Sequence, residues 1–232
     1  MLVVNTNEKS LEFLLYFYII PFKVASVKIL VSLEIGAEIK KSIFLFIIVA
    51  TNLIVPGQGQ SEPAEEKFLE AIEFLSGYSW GDIRVQKHYR SIPFIVDFDF
   101  NLKPCISKFN LHFSPLLQFQ IEPYVCAITS PNANVETGIA FLLKFGFLPA
   151  ASKIQPYIKF GAGLSFMSLH TREQSTQFNF IEPCALGVHY FFKKNTALTV
   201  EGRRRHLSNC SIKIPNGGIN TNFILVGVTH RF

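Results

Sequence analysis

The chain has few charged residues and no local grouping of metal-binding residues. Only 17% of its 232 residues are Asp, Glu, Lys or Arg, and the net charge is +5. Its four cysteines contain no Cys-x-x-Cys pair, so their spacing gives no support for a zinc site. Basic residues cluster only at Arg203–Arg205, a run that suits a solvated strand end or anionic lipid head groups better than nucleic acid. We therefore expect no metal, no cofactor and no nucleic-acid partner.

Long apolar runs are also missing. The run from Leu11 to Ile20 ends at Pro21 and is shorter than the about 20 residues that a spanning helix needs. A second apolar segment, at about 43–55, follows two lysines and precedes Pro-Gly-Gln-Gly-Gln. This order of basic, apolar and small residues predicts a secretory signal peptide that is cleaved after Gly57 or Gly59.

The predicted signal peptide begins unusually far into the chain. Either the assigned start lies too far upstream, or residues 11–20 form a transmembrane anchor, and we favour the first. We therefore expect residues 1–59 to be an N-terminal extension with a signal peptide. Residues 60–232 would then be one exported domain. In an exported protein the four cysteines can form disulfides, but their spacing does not pair them.

Aromatic residues are abundant, and they follow a two-residue period. The chain contains 24 Phe. From Val135 to Phe147 bulky apolar residues alternate with Glu, Gly, Ala, Leu and Lys, and residues 157–166 repeat the pattern. Such alternation predicts long β-strands with one apolar face. A soluble sandwich would also alternate, but strands of about 10–15 residues, repeated Gly on the smaller face and a terminal Phe favour a membrane-spanning barrel.

The alternating segments number about eight. An even count of eight is the smallest that closes a membrane barrel with a filled interior. The sequence therefore predicts an all-β, eight-stranded antiparallel transmembrane barrel of the outer-membrane type. The expected strands are 68–78, 92–103, 109–126, 135–147, 155–169, 177–192, 196–208 and 222–232.

The last thirty residues carry the clearest motif. His206-x-Ser208-Asn209 is followed by Lys213-x-Pro-Asn-x-Gly-Ile and a closing strand that ends on Phe232. This ordered set resembles the lipid A 3-O-deacylases (PagL-type acyloxyacyl hydrolases), with looser similarity upstream in PYIKFGAGL and TQFNF. The resemblance implies a serine nucleophile at Ser208, a general base at His206 and an oxyanion donor at Asn209. A backbone N–H near Ser211 would be a second donor.

The strand period agrees with this assignment. Residues i and i+2 of a strand share a face, which puts His206 and Ser208 on one side about 7 Å apart at Cα. That side also carries Leu198 and Val200, so we expect the pair to face lipid near one membrane surface. An acyl chain that already lies against the barrel needs no binding cavity.

The third member of the expected triad differs from the family. The family's acid falls on Asn220, whose amide can orient the histidine but adds no charge. A hairpin across Lys193-Lys194-Asn195 would pair Phe192 with Thr196 and bring Glu182 opposite His206. Glu182 is therefore an alternative orienting residue, unless Pro183 creates a bulge that shifts the register.

We therefore expect an outer-membrane serine esterase that removes the 3-O-linked acyl chain of lipid A in a Gram-negative bacterium. Its partners would be lipopolysaccharide and outer-membrane lipids, and a homodimer is left open. Two alternatives remain: a non-catalytic barrel with a structural or interaction role, and a phospholipid esterase with the same site.

Overall fold

A computed structural model describes residues 2–7, 10–15, 68–83, 88–108 and 115–232. The chain divides into two compact units, residues 1–52 and 53–232. In the first unit, β1 (Leu2–Asn7) and β2 (Ser10–Leu15) form an antiparallel pair. Part of the apolar run considered as an anchor thus lies in a strand. The predicted signal peptide and its cleavage point lie outside the described residues.

Eight long strands of the second unit form a closed antiparallel barrel. They are β3 (Leu69–Asp82), β4 (Tyr89–Asn101), β5 (Pro115–Ser130), β6 (Asn134–Pro149), β7 (Ile154–Met167), β8 (Phe178–Lys193), β9 (Thr196–Ser208) and β10 (Ile219–Arg231). Each strand pairs with the next along the chain, and β10 pairs with β3 to close the ring. A short helix, α1 (Lys103–Ser107), follows β4. The predicted class and strand number are confirmed.

The strand bounds differ modestly from the expected ones. The structure extends β3 to Asp82 and β5 to Ser130, four residues beyond the predicted ends, because pairing with neighbours continues after the apolar alternation weakens. None of the helical segments in the described part of the chain has the length and hydrophobicity of a membrane-spanning helix.

Side chains alternate between an apolar outer face and a polar lumen. On β6, Phe141 and Leu143 are exposed while Ala140, Leu142 and Lys144 are buried. The predicted phase is therefore confirmed on this strand. Exposed Phe, Leu, Ile and Val continue around β7 to β10, as expected for a surface that contacts lipid.

Ion pairs fill much of the lumen. Lys159 contacts Asp97, Glu122 and Glu201 at 3.0, 3.2 and 2.9 Å. Lys144 binds Glu73 and lies 3.3 Å from Asp99. Because buried charges are tolerated only when they are paired and hydrogen-bonded, these contacts fix the inward face of β3 to β7 and of β9. The residues of the candidate site lie on the opposite, outer face of the barrel.

The hairpin between β8 and β9 differs from the predicted turn in one detail. Lys193, rather than Phe192, lies opposite Thr196, and the register shifts between Phe191 and Lys193. Below that shift Phe191 pairs with Ala197, which is the register that the predicted three-residue turn would have produced. An irregularity in β8 thus compensates for the shorter turn.

Candidate functional site

The candidate site lies where β9 ends, on the outer face of the barrel. Leu198 and Val200 on this strand are exposed, and His206 and Ser208 follow in the same phase as half-buried residues. The intervening residues Arg205 and Leu207 are buried. The structure thus places the predicted base and nucleophile together on the lipid-facing side of one strand end.

Asn220 holds the His206 ring from the neighbouring strand. The two residues are direct partners in the β9–β10 register, and His206 Nδ1 lies 2.9 Å from Asn220 Oδ1. When the Nδ1–H donates to this carbonyl oxygen, Nε2 is left unprotonated and can accept a proton. The geometry therefore suits a histidine that acts as a base through Nε2.

Gly218 lies against the other edge of the ring. It has a φ of +68°, and a Cβ atom at this position would approach His206 Cε1 to 2.5 Å and Nε2 to 3.1 Å. The backbone here adopts a conformation that glycine accepts most readily. The loop can therefore close on the imidazole without a side chain blocking Nε2.

Two carboxylates flank the His206–Asn220 pair in the strand register. Glu182 on β8 lies opposite His206, in the pairing that the hairpin count predicts. On the other side Asp82 on β3 lies opposite Asn220, and all four side chains are outward. The sequence analysis did not include Asp82, because the end of β3 is weakly patterned. In addition, β3 pairs with β10, which is the barrel strand farthest from it along the sequence.

Asn209 has a structural role that differs from the predicted one. Its side chain is buried, and Nδ2 donates to the Lys213 carbonyl at 2.8 Å and to Ser175 Oγ at 3.2 Å. An amide whose hydrogens are engaged in this way holds the loop after β9 and is not directed at a reacting ester. The prediction of Asn209 as oxyanion donor therefore disagrees with the geometry.

Asn216 is the better-placed amide. Its Oδ1 accepts a hydrogen bond of 2.9 Å from the Asn209 backbone N–H, one residue beyond Ser208. Its Nδ2 makes only a long contact of 3.4 Å with Ser211 Oγ. Cys210 and Ser211 between them have positive φ angles of 51° and 62°, which curl the backbone back toward the strand end. The motif contained Asn216, but its spacing alone assigned it no role.

The basic run before His206 is divided by the strand alternation. Arg203 points into the lumen and contacts Glu122, at 2.7 Å from its Nη2. Arg205 donates to both oxygens of Glu136 at 2.6 and 3.0 Å. Only Arg204 is exposed on the outer face. The interpretation of the run as a solvated strand end or a lipid contact therefore applies to Arg204 alone, since its neighbours are buried ion-pair partners.

The fold and site together define a class: an eight-stranded barrel of the outer-membrane type with a hydroxyl–imidazole–amide set on its outer rim. A family model for lipid A 3-O-deacylase (PagL) matches residues 96–229, which is more than half of the chain and includes the whole set. The chain belongs to this family.

Solved structures share the barrel at low sequence identity. Neisserial surface protein A (NspA) is 12% identical with a TM-score of 0.53, over 70% of this chain and 96% of that one. The outer membrane enzyme PagL is 16% identical with a TM-score of 0.49, over 68% and 97%. The barrel domain of Pseudomonas aeruginosa OprF is 10% identical with a TM-score of 0.43, over 72% and 100%. The likeness to NspA supports the fold alone. Among curated sequences, none matches this chain.

Proposed function

We propose that this protein is an outer-membrane serine esterase that removes the 3-O-linked acyl chain of lipid A. The observation that carries the proposal is the His206–Asn220 hydrogen bond beside Ser208, on the outer rim of a barrel that belongs to the lipid A 3-O-deacylase family. A lipid substrate reaches this position by lateral movement along the barrel wall, with its acyl chains still in the membrane.

The proposed reaction has two halves. Ser208 Oγ attacks the ester carbonyl carbon while His206 Nε2 takes the hydroxyl proton. The tetrahedral intermediate then expels the sugar oxygen, which receives that proton from His206, and the acyl chain stays on Ser208. In the second half His206 takes a proton from water, the resulting hydroxide attacks the acyl carbonyl, and the fatty acid leaves as Ser208 regains its proton.

The intermediate oxygen needs hydrogen-bond donors. We assign this role to Asn216 Nδ2 and to the backbone N–H groups of the turn at Cys210 and Ser211. The Asn209 N–H donates to Asn216 Oδ1. This hydrogen bond holds the Asn216 side chain in place, with its amide nitrogen beside the strand end. Preorganised donors of this kind typically contribute about a hundredfold or more to kcat.

Asn220 is the proposed orienting residue for His206. It fixes the tautomer through Nδ1, as an amide does in other nucleophile–histidine pairs. Asp82 and Glu182 add negative charge on either side of the pair, in register with it. Of the two, Asp82 is the one that can act through Asn220, because it is the direct β3 partner of that residue.

Mass spectrometry of lipid A tests the proposal. Cells that express the wild-type protein should contain lipid A that has lost one 3-hydroxyacyl chain, whereas cells with Ser208→Ala should not. Ser152→Ala, in the turn between β6 and β7 at the opposite end of the barrel, is the matched control and should behave like wild type. Unchanged lipid A with loss of phospholipid acyl chains would identify a phospholipid esterase instead. Unchanged lipids in all strains would indicate a non-catalytic barrel.

A further inference from the structure

The loop between β9 and β10 exposes two large apolar side chains. Ile212 is 66% exposed and Ile214 is 84% exposed, the highest value for a large apolar side chain in the described residues. Removal of a side chain of this size from water is worth about 1.5–3 kcal/mol. A folded loop that leaves both in water gives up that stabilisation unless another surface covers them.

Hydrogen bonds hold the loop backbone on both sides of Ile214. The Lys213 carbonyl accepts hydrogen bonds from Asn209 Nδ2 and Ser175 Oγ, both at 2.8 Å. The Pro215 carbonyl accepts from the Ser175 N–H at 3.1 Å, and the Gly217 N–H donates to the Glu173 carbonyl at 2.7 Å. The residues on either side of Ile214 are therefore tied to the segment between β7 and β8.

The loop lies beside the apolar outer surface of the barrel. It begins one residue after Ser208, whose partner in the β8 register is the outward Phe180. Phe178 and Phe166 pair next to it and are 47% and 45% exposed. The apolar outer surface of the barrel thus extends to the ends of β7 and β8, and the exposed isoleucines of the loop lie just beyond these strand ends.

Charge supports the same partner. Lys213 lies between the two isoleucines and is exposed, and Arg204 is the outward member of the basic run. An apolar tip flanked by cations matches the boundary between acyl chains and anionic head groups, where Lys and Arg keep their charge at the surface while apolar side chains enter the lipid.

We propose that Ile212 and Ile214 insert into the lipid surface around the barrel, with Lys213 at the anionic head groups. They would anchor the end of the barrel that carries His206 and Ser208 to the leaflet that contains the substrate. The anchoring itself does not depend on catalysis. Its value for delivering lipid to Ser208 rests on the proposed function.

Tryptophan fluorescence tests the insertion without any measurement of activity. The chain has one Trp, so Trp80→Phe gives a dark background into which Ile214→Trp introduces a single reporter. Asn132→Trp, in the exposed turn between β5 and β6 at the same end of the barrel, is the matched control. Both variants are folded into vesicles of phosphatidylcholine and phosphatidylglycerol, with and without brominated acyl chains, and folding is checked by gel mobility before and after boiling.

The reporter at 214 should emit at shorter wavelength than the reporter at 132 and should be quenched at least about twofold by brominated lipid, since an inserted side chain lies about 5–10 Å into the head-group boundary. Emission and quenching equal to those at 132 would overturn the proposal. A blue shift without quenching would also overturn it, because it would show a protein contact. Repeating the measurement in Ser208→Ala separates the two proposals: quenching should persist there whether or not the enzyme reaction exists.

Discussion

At the scale of single residues, the site depends on how closely the backbone approaches His206. Gly218→Ala should lower kcat for ester hydrolysis by about tenfold to a hundredfold, because the new Cβ would displace the ring and small misplacements of a catalytic group are costly. It also strains a backbone with positive φ. Gly217→Ala is the control, since a Cβ there would meet Glu173 only at an ordinary 3.5 Å. Equal rates for the two variants would show that Gly218 does not position the base.

The nucleophile and base form a coupled pair. Ser208→Ala and His206→Ala should each lose at least about a thousandfold in ester cleavage, since residues that act as one unit fail together. Both side chains are half-buried on the outer face, so both variants should still give a heat-modifiable folded form on a gel. Wild-type activity in Ser208→Ala would reject the assignment.

The orienting residue can be identified by restoring the charge that the family places at this position. Asn220→Glu should raise kcat by about tenfold or more, because a carboxylate stabilises the imidazolium that an amide cannot. Asn220→Ala should lower it, since Nδ1 loses its partner at 2.9 Å. Glu182→Gln should change it only a few-fold. A large loss in Glu182→Gln with little change in Asn220→Ala would transfer the orienting role to Glu182.

Sequence reasoning at this scale worked where the strand period applies and failed where it ends. The period placed His206 and Ser208 on the outer face, and the hairpin count placed Glu182 opposite His206, as the structure does. It carries no information about the loop after Ser208, where the Asn209 amide is engaged by the Lys213 carbonyl. That contact depends on the path of five residues with two positive φ angles.

At the scale of strands, buried ion pairs define which side of β9 faces inward. Glu136 on β6 receives two hydrogen bonds from Arg205 and one each from Tyr89 and Tyr124, at 2.6 and 3.0 Å. It therefore links β9 to β4, β5 and β6 across the lumen. The same contact holds Arg205, the residue before His206, so the lumen helps to fix the site.

Glu136→Gln should destabilise the barrel by about 3–5 kcal/mol, because it leaves the buried Arg205 without its counter-charge. The measurement is the urea midpoint of unfolding in vesicles. Glu182→Gln makes the same chemical change on the exposed outer face and should alter stability by at most about 1 kcal/mol. Equal midpoints would mean that the lumen pair contributes nothing to stability.

The turn between β8 and β9 shows how far strand register can be read from sequence. The three-residue turn was wrong, since Lys193 rather than Phe192 lies opposite Thr196. The register further along was nevertheless right, because the shift at Phe192 keeps apolar side chains outside. Burial of one face determines register more strongly than turn length does.

At the scale of the whole molecule, closure of the ring is the property that the strand count predicted best. Eight long alternating segments imply a barrel with no free edge, and the pairing of β10 with β3 completes it. The end of the first strand was harder to predict than its start: the expected strand stops at residue 78, since β3 carries Ser76, Gly77, Ser79 and Gly81 on a weakly alternating pattern and ends at Asp82. The pairing of Asn220 with Asp82 shows that β3 continues alongside β10 beyond that predicted end.

Closure predicts a specific response to truncation. The complete protein in detergent should show a β-sheet circular dichroism spectrum and should migrate differently on SDS gels before and after boiling. Removal of residues 219–232 leaves β9 and β3 with unpaired backbone groups, which are too costly inside a lipid layer, so the mobility shift should disappear. Removal of residues 1–59 takes away none of the eight strands, and the shift should persist. A chain that keeps its mobility shift without β10 would show that the fold does not depend on the closed ring.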